Sequence, residues 1–208
     1  GSMGTAIVGK SDTPLKIAQK KIDLFNDLEG DIKSILTKSD NRASNMVMYT
    51  TPKAWGPVKA SLAYIASEDD ADDGTSMSLA YAKSGMYVSV AYDQDVEAEG
   101  ADVVRLVAQG NFGDLQIGAL YEDQDAGVSS LNDGDAWMLS AMYKMDKIAL
   151  KAQVGESDIS KDGASTFSIG ADYKLSKSTK LFAFATHEEA DSLTEDNDYA
   201  GIGIELKF

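Results

Sequence analysis

Lys147-Ile148-Ala149-Leu150-Lys151-Ala152-Gln153-Val154 and Thr166-Phe167-Ser168-Ile169-Gly170-Ala171-Asp172-Tyr173-Lys174 decide the fold. In the first, Ile148, Leu150, Ala152 and Val154 fall on one side and Lys147, Lys151 and Gln153 on the other. In the second, Phe167, Ile169, Ala171 and Tyr173 oppose Ser168, Asp172 and Lys174. A period of two is that of a β-strand with one apolar face. The pattern extends outward along the chain. Val58, Ala60, Leu62 and Tyr64 oppose Lys59, Ser61 and Ala63, and Val104, Leu106 and Phe112 oppose Arg105, Gln109 and Asn111. It predicts strands at 5–12, 45–54, 58–66, 75–82, 86–93, 103–111, 115–122, 136–144, 147–154, 166–175, 180–187 and 199–208. Each approaches the roughly 9–11 residues of a tilted bilayer crossing. From about residue 45 one unit repeats: a strand, a long acidic loop, a returning strand and a short turn. Tyr64, Tyr92 and Tyr121 close successive first strands at spacings of 28 and 29 residues, which suggests repeated hairpins.

A soluble sandwich would alternate in the same way, so the aromatic residues carry the choice of solvent. With strands running alternately up and down, Tyr64, Tyr92, Tyr121, Trp137 and Phe167 gather at the long-loop end of the apolar face. Tyr81, Phe112, Tyr143, Tyr173 and Phe208 gather at the short-turn end, with Leu, Val, Ile and Ala between. Two aromatic girdles around an aliphatic band suit a lipid-facing surface. The charges are polarised too. The loops at 66–74, 93–102, 122–135, 155–165 and 188–198 hold 24 of the 34 acidic residues. Lys53, Lys83, Lys144, Lys147, Lys177 and Lys180 mark the short turns.

The 208 residues carry a net charge of -15, no cysteine, and only Arg42 and Arg105 as arginines. This balance speaks against nucleic acid as a partner, since phosphates demand Lys and Arg. It also removes disulfides, thiolate metal sites and thiol nucleophiles. No apolar run reaches the roughly 18 residues of a membrane helix, a limit that does not touch barrels. Gly1-Ser2-Met3 reads as an expression scar. No signal peptide is visible, so the expectation is that one was removed or that the chain is a fragment.

Catalytic motifs do not assemble. His187, the single histidine, lies in His187-Glu188-Glu189-Ala190-Asp191 without the second histidine of a zinc protease motif, and reads as a strand end at the rim. Asp123-Gln124-Asp125-Ala126-Gly127 lacks the spacing and closing Glu of a calcium loop; weak divalent cation binding by the acidic rim as a whole is the better expectation. There is no phosphate-binding glycine motif and no nucleophile elbow. The sequence therefore implies no enzyme, no catalytic residue, no metal site and no cofactor.

Residues 4–57 break the repeat. A strand ending Gly9-Lys10-Ser11-Asp12-Thr13-Pro14 is followed by about thirty residues that carry Ile17, Ile22, Leu24, Phe25, Leu28, Ile32, Ile35 and Leu36. The run Asp23-Leu24-Phe25-Asn26-Asp27-Leu28-Glu29-Gly30-Asp31, then Asn41-Arg42-Ala43-Ser44-Asn45-Met46-Val47, closely resembles the general porins of Gram-negative bacteria. Ile202-Gly203-Ile204-Glu205-Leu206-Lys207-Phe208 resembles that family's closing strand. The resemblance spans nearly the whole chain. It implies that residues 13–44 are the third external loop, folded into the barrel to narrow the pore, and that Phe208 is read by the barrel-assembly machinery. Family members usually have about sixteen strands. This chain resembles the last twelve, and the absent region is, by resemblance, the source of much of the trimer contact and of the basic wall.

The expected fold is thus all-β: a transmembrane antiparallel β-barrel of about twelve strands, residues 4–208 forming one domain, with a long inward-folded loop. An even number lets the first and last strands close the barrel. The expected function is passive diffusion of small hydrophilic solutes and ions through the bacterial outer membrane, with cation preference. The alternatives are a plugged barrel with a structural or surface-recognition role, and a soluble β-barrel binding module. At the constriction, Asp27, Glu29 and Asp31 are expected to face Arg42 and Lys16, with Lys10, Arg105 and Lys151 as further pore-lining residues. The expected partners are outer-membrane lipid and lipopolysaccharide. Without the trimer region the chain is expected to be a monomer or a weak oligomer.

Overall fold

A computed structural model describes residues 1–19, 21–67, 72–127, 132–160, 163–191 and 196–208. Twelve antiparallel strands form one sheet in which each strand pairs only with its neighbours in sequence. They are β1 (Thr5–Asp12), β2 (Arg42–Thr50), β3 (Val58–Ile65), β4 (Gly74–Lys83), β5 (Met86–Gln94), β6 (Asp102–Phe112), β7 (Leu115–Asp125), β8 (Gly134–Met145), β9 (Ile148–Ser157), β10 (Ala164–Lys174), β11 (Thr179–Glu189) and β12 (Asn197–Leu206). The expected strands are all present, most within a few residues of their predicted ends. The largest shift is in β2, which ends at Thr50 rather than residue 54. Pro52 cannot donate to a ladder, and Lys53–Trp55 turns as a 3-10 helix instead. Tight turns hold the other end of each hairpin, with Ser84 (φ 52°) and Gly85 (φ 82°) between β4 and β5 as one example. Residues 68–71, 128–131, 161–162 and 192–195, all within the segments expected to be long acidic loops, lie outside the described residues.

The outward face matches the two-girdle pattern. Tyr64, Tyr121 and Phe167 at the long-loop end, and Tyr81, Phe112, Tyr143 and Tyr173 at the other, are exposed, as are Leu62, Leu79, Leu106, Leu139, Leu150 and Ile169 between them. Tyr121 and Trp137 sit directly opposite each other in register. Above the girdle two phenols and one indole bond outward-facing carboxylates: Tyr64 donates to Asp73, Tyr92 to Asp102 at 2.8 Å and Trp137 Nε1 to Glu156 at 3.3 Å. In this belt an apolar ring meets lipid while its polar end stays wet.

The packed core lies on the inner face. The β1–β2 connection turns inward and carries two short helices, α1 (Pro14–Gln19) and α2 (Ile32–Ile35). Its Leu15, Ala18, Ile22, Ile32 and Leu36 pack with Tyr87, Ala91, Val103, Val107, Leu120 and Met138 of β5–β8. Those four strands are therefore apolar on both faces over part of their length, lipid outside and loop inside. A second cluster joins Met46, Met48 and Ala63 to Ile17.

The expected closure is not formed. Among the described residues no ladder joins β12 to β1, and the sheet ends in two free edges. Pairing parity permits closure, but strand number and curvature must also agree.

Candidate functional site

The loop is tied down at its root by a buried, charge-balanced cluster. Arg105 of β6 has no exposed surface. Its Nε donates to Glu122, its Nη1 to Asp40 at 3.0 Å and to the Leu15 carbonyl at 3.4 Å, and its Nη2 to Thr37 at 3.3 Å. Glu122 also accepts from the Thr37 hydroxyl. Lys16 Nζ bonds the Asp40 carbonyl at 3.1 Å and lies 3.7 Å from its carboxylate. Arg105 and two carboxylates thus meet out of water, with Lys16 partly exposed beside them, the pairing a buried charge requires. Farther along, Gln153 donates to the Gly30 carbonyl at 2.9 Å and accepts from the Leu24 amide at 3.0 Å. Lys151 donates to the Leu24 carbonyl at 3.0 Å, pairs with Asp172 at 3.1 Å and stands 4.9 Å from the centre of the Phe25 ring.

The loop tip is stapled by its own carboxylates. Asp31 caps α2 by accepting from the Lys33 amide at 3.0 Å, and its other oxygen accepts from the Asp27 amide at 2.8 Å. Asp27 has φ 65°, a left-handed position that Asp tolerates better than most residues. Asp23 accepts from the Phe25 amide at 3.1 Å and the Ile32 amide at 3.4 Å. Burial first, and then the neighbouring Asp31 carboxylate, push the Asp23 carboxyl up to about 7. A raised carboxyl favours the docked loop while protonated. Its contribution is therefore full below pH about 4 and declines as pH rises toward 7, where the docked form ionises too. Amide hydrogen exchange across 22–32 should accordingly quicken between pH 4 and pH 7 beyond its intrinsic base catalysis. Asp23→Asn should remove that excess pH dependence, and an unchanged excess would contradict the assignment.

The expected site residues therefore divide. Asp27 and Glu29 are exposed at the tip, whereas Asp31 is buried as the staple beneath them. Lys16, Arg105 and Lys151 were expected to line the pore opposite these carboxylates; instead Arg105 and Lys151 fasten the loop to the wall, and Lys16, in α1 of the loop itself, braces its far end at Asp40. Their charges are used to neutralise Asp40, Glu122 and Asp172. Arg42 is exposed at the start of β2 opposite Asp12, and Lys10 falls in the bulge of β1 between Gly9 and Ser11. Sequence reading missed Asp23, Asp40 and Glu122, all of them within the acidic background. His187 is on the outward rim, between Asp198 at 2.8 Å and Glu189 at 3.0 Å, with Asp196 close by.

The loop covers the inner face of β4–β10 and leaves the wall of β11 and β12 half-exposed. Asp27, Leu28, Glu29, Asp31 and Lys33 border a cavity of about 350 Å³ whose other side is Phe184 of β11. Residues 1–193 match the family model described as Gram-negative porin. No curated protein sequence matches significantly. Among solved structures, OmpF of Salmonella typhi in complex with daunomycin is similar at 16% identity and TM-score 0.78, covering 98% of this chain and 74% of that one. OmpT of Vibrio cholerae is similar at 17% identity and TM-score 0.74, covering 99% and 77%. A triple mutant of the Rhodopseudomonas blastica porin is similar at 19% identity and TM-score 0.70, covering 98% and 73%.

Proposed function

From the premise that this chain belongs to the Gram-negative porin family and is an outer-membrane channel rather than an enzyme, we propose that it passes small hydrophilic solutes and ions by diffusion, with preference for cations. The path runs between the loop tip and the inner wall of β11 and β12. One observation carries the preference: the tip presents Asp27 and Glu29 to the lumen, while Lys16, Arg105 and Lys151 are already paired with Asp40, Glu122 and Asp172. Ionised carboxylates at a narrow place attract cations and repel anions, because confinement weakens screening.

Reversal potentials in a potassium chloride gradient test this. The expected sign is cation-selective, and the double variant Asp27→Asn, Glu29→Gln should move the potential toward zero. Clear anion selectivity of the unaltered protein would overturn the preference. Asp31 is kept in this test, because its loss would unfasten the tip as well as remove charge.

The depth to which the loop fills the inner face also favours a second reading, a barrel plugged by residues 13–41 with a structural role. A planar bilayer separates the two, since a plugged barrel passes no steady current. On either reading we propose that the outward rim meets lipopolysaccharide and that Phe208, fully exposed beyond β12, is offered to the assembly machinery. A monomer or weak oligomer is the proposed state.

A further inference from the structure

The inner wall of β11 is unlike the rest of the lumen. Apolar inner residues of β5–β8 are covered by the loop, but Phe182 and Phe184 face the lumen half-exposed. Both are given room by glycines. Phe184 stands in register between Gly170 of β10 and Gly201 of β12. A Cβ added at Gly201 would lie 2.5, 2.9 and 3.4 Å from three consecutive carbons of the Phe184 ring, and one at Gly203 would lie 2.4 Å from the Phe182 ring. The rings thus lie against bare backbone, and Phe184 borders the cavity described above together with Asp27 and Glu29.

Elsewhere the lumen shows what its rings accept. Lys21 Nζ stands 4.4 Å from the centre of Tyr87, Lys151 Nζ 4.9 Å from Phe25 and Lys180 Nζ 6.0 Å from Phe182. Each is within reach of the attraction between an ammonium group and the face of an aromatic ring. Phe184 has no such internal partner among the described residues. Lys33, which borders the same cavity, lies 3.7 Å from Asp31 instead. An aromatic face without a cation, opposite two exposed carboxylates, has the donor set for an alkylammonium group: charge from Asp27 and Glu29, and a soft, weakly hydrating surface from Phe184.

We propose that this cleft selects organic ammonium cations over alkali ions of the same charge, with Phe184 as the specificity-determining residue. The inference rests on the cation-preferring channel reading above but assigns a separate job to a separate residue. Potassium is drawn by the carboxylates alone, and it gains little from a phenyl ring while it keeps its hydration shell. An alkylammonium gains from both.

The probe is tetramethylammonium. Bi-ionic reversal potentials against potassium should give a tetramethylammonium-to-potassium permeability ratio that falls about threefold in Phe184→Leu. Leucine keeps the apolar bulk and removes the ring. Phe184→Tyr should retain the ratio. Potassium-over-chloride selectivity should be the same in all three proteins, since Asp27 and Glu29 are untouched. In parallel, saturation-transfer NMR on detergent-solubilised protein should show the tetramethylammonium methyl signal with Phe184 or Tyr present and a signal weakened by a similar factor with Leu. That reading does not need current to flow. A ratio and a transfer signal unchanged by Phe184→Leu would overturn the proposal. So would a simultaneous change in potassium-over-chloride selectivity, which would make Phe184 a support for the tip. No current with intact transfer would overturn the channel reading and leave the recognition standing.

Discussion

Replacing residues 17–38 with a short Gly-Ser linker is expected to raise single-channel conductance severalfold and to make the open current noisier. The segment contributes Ile22, Phe25, Ile32 and Leu36, each without exposed surface. Burial of such side chains stabilises by roughly 1.5–3 kcal/mol apiece, which is why the loop stays inside although the wall is open at its β12–β1 seam. Its removal frees lumen volume next to β5–β8 and wets an inner patch of Val103, Val107, Leu120 and Met138. The variant should therefore conduct more and melt earlier. Conductance in a planar bilayer and heat-induced mobility shifts in detergent gels measure the two. Unchanged conductance and solute permeation would show that the loop does not bound the current path. The constriction, the cation preference built on it and the ammonium cleft would then all lose their site.

Arg105→Ala should be the most damaging single substitution. It leaves Glu122 buried without its counter-charge and Asp40 with Lys16 alone. Removing one partner from a buried ion pair typically costs about 3–5 kcal/mol. The cost falls on loop docking, since the strand ladder between β6 and β7 does not depend on the side chain. Excursions to a higher conductance level and faster exchange of the amides of 13–41 are the expected signs. Arg105→Lys should rescue only partly, because an ammonium cannot reach Glu122, Asp40 and Thr37 with a planar fork. A variant with wild-type current traces and wild-type exchange would show that the apolar packing alone holds the loop.

Much of this was legible in the chain, for identifiable reasons. Strands whose faces meet lipid on one side and a polar or loop-filled interior on the other must alternate. Ile148 to Val154 and Phe167 to Tyr173 therefore announced both period and register. The girdles were legible because headgroup depth fixes where Tyr and Trp sit along a strand. Even the Arg105–Glu122 pair was within reach: the turn at Gly113-Asp114 sets Phe112 against Leu115, and counting back along the hairpin sets Arg105 against Glu122. Reading Arg105 only as an inward residue missed that its partner was already opposite. Asp40, Lys16 and Asp23 were not legible, because their partners come together through a loop with no period. The seam was misjudged because parity fixes strand direction and leaves curvature open. The glycine–phenylalanine pairing of β11 and β12 was hidden for a different reason. Phe182 and Phe184 look like lipid-facing residues in the alternation until Leu181 and Ala183 are seen to take that side.

The neighbour-only strand order gives the chain an internal clock. Each hairpin can pair as soon as its own two strands exist, since its register involves nothing farther away. The loop cannot. Its root waits for partners 85 residues on at Glu122, and its tip for one 129 residues on, where the Leu24 amide meets Gln153. A segment near the beginning of the chain is therefore among the last to find its place, after at least β9 has joined the sheet. Late-forming contacts add little to the speed of assembly and much to the barrier against coming apart. The Arg105 cluster and the apolar seat of the loop act in this way as a lock set from inside. It leaves the meander free to build one strand at a time, and then resists the first step of its undoing.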